Sequence, residues 1–281
     1  MKSGINKILL PISVNSNFEN AVHYAFHLAG LTKAEVTVLA VDDDSPWYET
    51  TLLPFHTKNL NPQEIHVEQT SIPAVNAQLE LIQSIADSHK TGFSEMIVKG
   101  HTATQILLVS RYHDIVVFSE KPIFADQLGT GPRRVDPVME FLDQTIIPTV
   151  LCGTSAIQEL GSAAIYFDGS PNSTIALHQL AYLYQAAPDQ KVVVRVSTFE
   201  EKVAKHLAKD AAEFLKTKGL KQVSIEYSSE SPIDFAKSNS DDGISLNVLG
   251  IRSRQAFHDF RIGALAHHFL DEEPGKNKMF C

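Results

Sequence analysis

The feature that most constrains this chain is an internal repeat. The stretch ILLPISVNSNFENAVHYAFHLAGLTKAEVTVLAV (Ile8–Val41) lies over IYFDGSPNSTIALHQLAYLYQAAPDQKVVVRVS (Ile165–Ser197) when Ser13 is set on Asp168. Ala21 then falls on Ala176, His23 on His178, Leu28 on Leu183, Val38 on Val193 and Val41 on Val196, with no gap. Each copy reads as strand, polar turn, helix and Val-rich strand. The turns SVNSN and DGSPNS supply helix-capping residues, and Val-rich strands are those buried beneath crossover helices. A chain that repeats one such unit builds the same architecture twice.

The alternation continues after each repeat. In the first copy, AVNAQLELIQSIADSHKTG reads as helix, SEMIVKG as strand, TATQILLVSRY as helix and DIVVFS as strand. A long loop, the helix PVMEFLDQT and the strand PTVLCG follow. In the second copy, EEKVAKHLAKDAAEFLKTKG is a helix that Gly219 closes. QVSIEYS is a strand, PIDFAKSN a short helix, ISLNVLG a strand, GALAHHFL a helix and KMFC a last short strand. Strands alternating with helices imply right-handed crossovers and parallel pairing. The expected fold class is therefore α/β, with two doubly wound domains, 1–153 and 154–281. Each holds a five-stranded parallel sheet with helices on both faces, and the last strands, PTVLCG and KNKMFC, pair across the domains.

Composition removes several functions. No run of some twenty apolar residues exists, which argues against a membrane span. Two cysteines, Cys152 and Cys281, exclude a disulfide framework and fit a reducing, cytoplasmic setting. Residues 1–153 hold 10 Lys+Arg against 17 Asp+Glu, and residues 154–281 hold 14 against 16. Neither half is basic, so no nucleic-acid partner is expected.

The strand–turn–helix pairs KILLPISVNSNFENAVHYAFHLA and AAIYFDGSPNSTIALHQLAYL, with DIVVFS and LNVLG before the later loops, resemble the universal stress protein family in its tandem form. The resemblance covers essentially the whole chain. It implies a cytoplasmic stress-response binding or signalling protein rather than an enzyme. Some members of the family bind ATP, with an Asp at the end of the first strand and a loop of Gly, two residues, Gly, nine residues, Gly, then Ser or Thr. Glycines let main-chain N–H groups approach phosphates, and a helix N-terminus favours negative charge. Carried onto this chain, Asp168 matches the Asp, and Val196 and Leu249 match the apolar positions around a nucleoside. Gly250 and Gly263 match the first and third Gly. Ser253 replaces the second Gly and Ala264 the hydroxyl residue. Arg252, Arg254 and Arg261 lie in or beside the loop. The resemblance thus implies, if the second domain takes a ligand, weak binding of ATP or another adenine nucleotide there; a protein-interaction module without nucleotide is the alternative, and an ATP-hydrolysing enzyme the remoter one.

The first domain departs further. Ser13 replaces the Asp, Ser119 the first Gly, and Val135-Asp136 stand where Gly-Ser would lie. A turn with two glycines and two arginines, Leu128–Arg134, reads as a surface connection more readily than as an anion site. His23 and His27 have the i, i+4 spacing of metal ligands but no third ligand in motif spacing, so packing or surface roles are expected. The acidic run VDDDSP (Val41–Pro46) reads as a solvated loop. His267 and His268, adjacent on a helix, point apart. Cys152 is expected to be buried, and Cys281 more exposed with no basic partner to activate it. No catalytic set and no metal site emerges. The two domains are expected to mimic, within one chain, a dimer of single-domain relatives, and a homodimer of whole chains stays open.

Overall fold

A computed structural model describes residues 4–14, 18–42, 71–124, 136–154, 159–239, 243–251, 262–271 and 275–281. Its strands are β1 (Lys7–Pro11), β2 (Glu35–Asp42), β3 (Phe93–Lys99), β4 (Ile115–Ser119), β5 (Thr149–Cys152), β6 (Ala163–Tyr166), β7 (Lys191–Ser197), β8 (Gln222–Ser228), β9 (Leu246–Leu249) and β10 (Asn277–Phe280). Its helices are α1 (Phe18–Thr32), α2 (Ser71–His89), α3 (Thr102–Ser110), α4 (Pro137–Gln144), α5 (Pro171–Tyr184), α6 (Glu201–Thr217), α7 (Pro232–Ser238) and α8 (Ala264–Asp271).

All ten strands form one sheet, in the order β3-β2-β1-β4-β5-β10-β9-β6-β7-β8. Every pairing is parallel except β5 with β10, which is antiparallel. Each half is thus an open five-stranded sheet whose strand order reverses at its first strand. The two halves join edge to edge through their last strands, as expected. Apolar residues on both faces of the central strands require cover on both sides. One buried cluster packs beneath α1, α2, α5 and α6 and runs across the seam, and a second packs beneath α3, α4, α7 and α8.

The helix boundaries follow local chemistry. Ser170 and Ser231 cap α5 and α7 with their side chains, each ahead of a proline in the first turn. Gly219 closes the end of α6 at φ +99°, a conformation that glycine reaches without strain. α6 buries Ala204, Ala208, Ala211, Ala212 and Leu215, a stripe of mostly small side chains that lets it lie close on β7 and β8.

One part of the repeat needs correcting. Ile8 pairs with Val36 in the first half, whereas its equivalent Ala163 pairs with Val192. Val36, Val38 and Ala40 face the α1–α2 layer, and Val192, Val194 and Val196 face the α5–α6 layer. The second strand is therefore displaced by one residue relative to the gapless alignment. Val38 corresponds to Val194 rather than Val193, and Val196 to Ala40 rather than Val41. A one-residue slip turns every side chain of a strand to the other face, so burial settles the register. The extra residue sits in the turn between α5 and β7.

Candidate functional site

In an open parallel sheet the ligand crevice lies outside the carboxyl ends of the strands, where the strand order reverses. In the second half that point falls between β6 and β9, which are paired with Tyr166 opposite Leu249. Asp168 follows β6 and Gly250 follows β9, so the structure brings these two expected residues to one place from opposite sides.

Asp168 is fixed by the turn that starts α5. Its Oδ1 accepts from the Ser170 amide at 2.9 Å, and its own amide donates to Ser173 Oγ at 3.3 Å. The Ser170 hydroxyl accepts from the Ser173 amide at 3.2 Å and caps the helix. Gly250 lies against that same first turn. A Cβ on it would stand 2.8 Å from both Asn172 C and Ser173 N. The glycine is thus required by helix–strand contact, apart from any ligand. Gly263 is buried, and its amide donates to Ile251 O at 2.9 Å. The start of α8, at Ala264, is thereby drawn back to the end of β9. The Ile251 amide in turn donates to Cys281 O, and the Cys281 amide to Leu249 O, so Cys281 clamps the chain as it leaves β9. Val196 and Leu249 are wholly buried in the two opposite clusters, Val196 beneath α5–α6 and Leu249 beneath α7–α8. They are core residues on opposite faces of the sheet and do not line one shared surface. Ser253, Arg252, Arg254 and Arg261 lie outside the described residues.

A polar row that the sequence reading missed adjoins this point. Tyr166, Arg195 and Glu226 stand side by side on β6, β7 and β8. Arg195 is 2 % exposed. Its guanidinium donates to Glu226 Oε2 and to the Tyr166 hydroxyl, each at 2.9 Å, and lies over the Tyr166 ring. The ring of Phe269 on α8 packs against Tyr166 at 5.1 Å. The matching row of the first half is Pro11, Leu39 and Met96, which is apolar. The contrast becomes visible only once strand register is known, because in sequence Arg195 reads as one charge inside a Val-rich run.

The first half is arranged differently. Ser13, in place of the Asp, is 1 % exposed. Its hydroxyl donates to Ile123 O at 3.2 Å and accepts from the Ile123 amide at 3.1 Å, and the Val14 amide donates to the same carbonyl at 2.7 Å. The chain leaving β4 therefore lies across the end of β1, with Phe124 buried beside Phe118. Asp136 has a local reason to be acidic: it is the N-cap of α4 and accepts from the Val138 amide at 2.9 Å. The glycine-rich turn 128–134 and Val135 lie outside the described residues. Of the acidic run, Asp42 forms an exposed ion pair with Lys99 at 3.7 Å, while Asp43 and Asp44 are not among the described residues.

His23 has a partner that its spacing did not reveal. His89, at the end of α2, places Nε2 3.2 Å from His23 Nδ1. Burial, then the neighbouring His23 and His27, push the His89 pKa below the ordinary histidine range, and burial lowers that of His27. Among the described residues no group of three or more His, Cys, Asp or Glu is placed to hold a metal ion. Cys152 is buried as expected, and burial pushes both the Cys152 and Cys281 thiols up, away from the reactive thiolate. His267 is exposed, whereas His268 is buried with its ring against that of Phe269. A shallow polar groove of about 430 Å³, lined by Gln83, Lys90 and Glu95 among others, opens at the opposite end of the first half's sheet, where β3 begins. No helix among the described residues is long and apolar enough to cross a membrane.

No family model matches the chain, and no curated protein is similar to it in sequence. Solved structures are similar to it in fold. A universal stress protein from Archaeoglobus fulgidus DSM 4304 superimposes with a TM-score of 0.70 at 12% identity, covering 99% of this chain and 98% of that one. A putative universal stress protein from Pseudomonas aeruginosa UCBPP-PA14 gives 0.61 at 14% identity, covering 99% and 94%. A functionally unknown protein from Pseudomonas aeruginosa PAO1 gives 0.60 at 14% identity, covering 99% and 93%. The resemblance read from the two repeats thus holds over the whole length of the molecule, and the chain has the fold of the universal stress proteins, built as two doubly wound halves on one continuous sheet.

Proposed function

We propose that this protein is a stress-linked binding protein of the cytoplasm that takes an adenine nucleotide in its second half only. The observation that carries this reading is the contrast between the two switch points. In the second half, Asp168 and Gly250 meet across β6 and β9, and Gly263 ties the start of α8 to the same spot. In the first half, Ile123 is hydrogen-bonded onto the end of β1, where a ligand would lie. Asp168 faces the nucleoside in this reading, and the main chain between Gly250 and the start of α8 meets the phosphates. In this reading the protein binds its ligand without turning it over; among the described residues no group of three or more His, Cys, Asp or Glu that could hold a metal ion joins Asp168.

One observation favours a second reading, a protein-interaction module without nucleotide. Gly250 is explained by its contact with α5, so its match to a phosphate loop needs no ligand. Calorimetric titration with ATP and ADP separates the two. Nucleotide binding predicts heat that Gly263→Asp abolishes and that Asp168→Ala weakens about tenfold or more, the scale of one lost charge-assisted hydrogen bond. Heat that survives both substitutions overturns the assignment to the second half. No heat at millimolar nucleotide favours the interaction module.

A further inference from the structure

The seam between the halves carries a buried ion pair that the pseudo-symmetry of the fold does not require. Lys278 on β10 is 1 % exposed, and Glu120, directly after β4, is 5 % exposed. The Lys278 ammonium donates to Glu120 Oε1, and the Gly275 amide donates to Glu120 Oε2 at 3.1 Å. Beside them the Gly153 amide donates to Asn277 Oδ1 at 3.2 Å. At Gly153 the two backbones touch, and a Cβ there would stand 2.2 Å from Gly275 C.

Strand register shows which residues are equivalent. Ile8 pairs with Ile115, and its equivalent Ala163 pairs with Leu246. The next residues, Val116 and Asn247, pair with Thr149 and Lys278 respectively. Lys278 therefore corresponds to Thr149, Asn277 to Pro148 and Glu120 to Ile251. Across the seam Val150 pairs with Met279, and these two correspond to each other, so they sit on the local twofold axis.

Two nearly equivalent edges raise a problem of partner choice. Unpaired strand edges recruit any strand of matching shape, and β5 and β10 are each four residues long. If β5 met the β5 of a second chain, Glu120 would face Thr149, and the Gly153 amide would face Pro148. A carboxylate would then be buried without its cation. If β10 met another β10, Lys278 would face Ile251. Only β5 against β10 satisfies both charges.

We propose that Glu120 and Lys278 are a partner-selection device: they make the β5 edge accept the second half of this protein and reject another copy of the first. Buried ion pairs are poor sources of stability but can set register and pairing, because the wrong pairing strands a charge. The arrangement is one-sided, with a carboxylate on the first half and a cation on the second, as selection between two similar edges demands.

Charge reversal with rescue tests this in the full-length protein. The reporter is V150C, whose side chain meets its own copy only in a β5–β5 pair. Each variant is refolded from denaturant at high concentration, oxidised and run on a non-reducing gel, with C152A and C281A in every background. With the native pair, V150C stays monomeric. With E120K, two like charges face each other across the β5–β10 seam, and disulfide-linked dimer rises at least severalfold. Adding K278E restores opposite charges and returns the dimer to the native level. A second arm uses E120L/K278M, which keeps the volume and removes both charges. It folds with an unfolding midpoint no lower than the parent yet forms the linked dimer. Dimer levels that do not differ among the native pair, E120K and E120L/K278M overturn the proposal. So does an E120K dimer that K278E fails to suppress, since a merely structural defect would not be repaired by reversing the partner.

Discussion

Gly250 is where helix packing and the candidate site meet, and Gly250→Ala tests both. The added Cβ would stand 2.8 Å from Asn172 C and from Ser173 N, whereas ordinary contact begins near 3.4 Å. Relief therefore needs a shift of about 0.6 Å between the end of β9 and the first turn of α5, on the scale at which tightly packed interiors resist change. Both obstructing atoms are main chain, so no rotamer change relieves the contact. The turn that would have to move holds the Ser170 cap and the Asp168 hydrogen bond to Ser170. Overpacking of this kind costs about 1–3 kcal/mol. In a chain of 281 residues that corresponds to a fall in midpoint of about 2–5 °C. Thermal unfolding followed by circular dichroism measures the fall, and hydrogen exchange at Ser170–Thr174 locates it. Gly30→Ala is the control. Gly30 sits inside α1 with nothing within 4 Å of a new Cβ, so alanine should raise stability by about 0.5–1 kcal/mol through helix propensity. If Gly250→Ala leaves both the midpoint and the exchange of Ser170–Thr174 unchanged, the contact between β9 and α5 is not as described, and the geometry assigned to Asp168 fails with it.

Other expectations rest on single groups. The Tyr24 hydroxyl is buried with no hydrogen-bond partner among the described residues, so Tyr24→Phe should be neutral or stabilise by up to about 1 kcal/mol in urea titration. His27, His89 and His113 all titrate below the ordinary histidine range, chiefly because burial disfavours the cation. Below about pH 6.5 the unfolded chain takes up these protons before the folded one does. Stability should therefore be level above that value and fall as pH drops toward the lowered folded pKa values. Urea midpoints at pH 7.5 and 5.5 read the fall, and His89→Gln should reduce it. Glu226→Ala removes the carboxylate from the buried Arg195 and should cost about 2 kcal/mol, less than for a fully buried pair because Glu226 is partly exposed. Adding Arg195→Met should recover most of that loss, and a double variant no more stable than Glu226→Ala would show that Arg195 does not depend on Glu226.

Much of this molecule is legible along the chain because it depends on local chemistry. Val-rich strands buried on both faces, capped amphipathic helices and their repetition give the α/β class and the doubled unit. Ser170, Ser231 and Gly219 mark helix ends because capping and positive φ are properties of a few adjacent residues. The spacing from Gly250 to Gly263 is likewise a feature of one segment. What depends on register could not be read this way. Burial, not alignment, shows that Val196 matches Ala40, because the inserted residue between α5 and β7 changes the face of every side chain after it. His89 reaches His23 from 66 positions away, and Ile123 closes over Ser13 from 110 positions away. Arg195 among valines and Lys278 in a short terminal strand are isolated charges in sequence. Each finds its carboxylate only when strands far apart in the chain lie side by side. The repeated fold follows from the order of residues alone, because secondary structure and its succession are written in neighbouring residues. That Ile123 closes the first crevice, which charges are paired and which edge meets which emerge only in the folded chain, because those outcomes depend on desolvation and contact between distant segments.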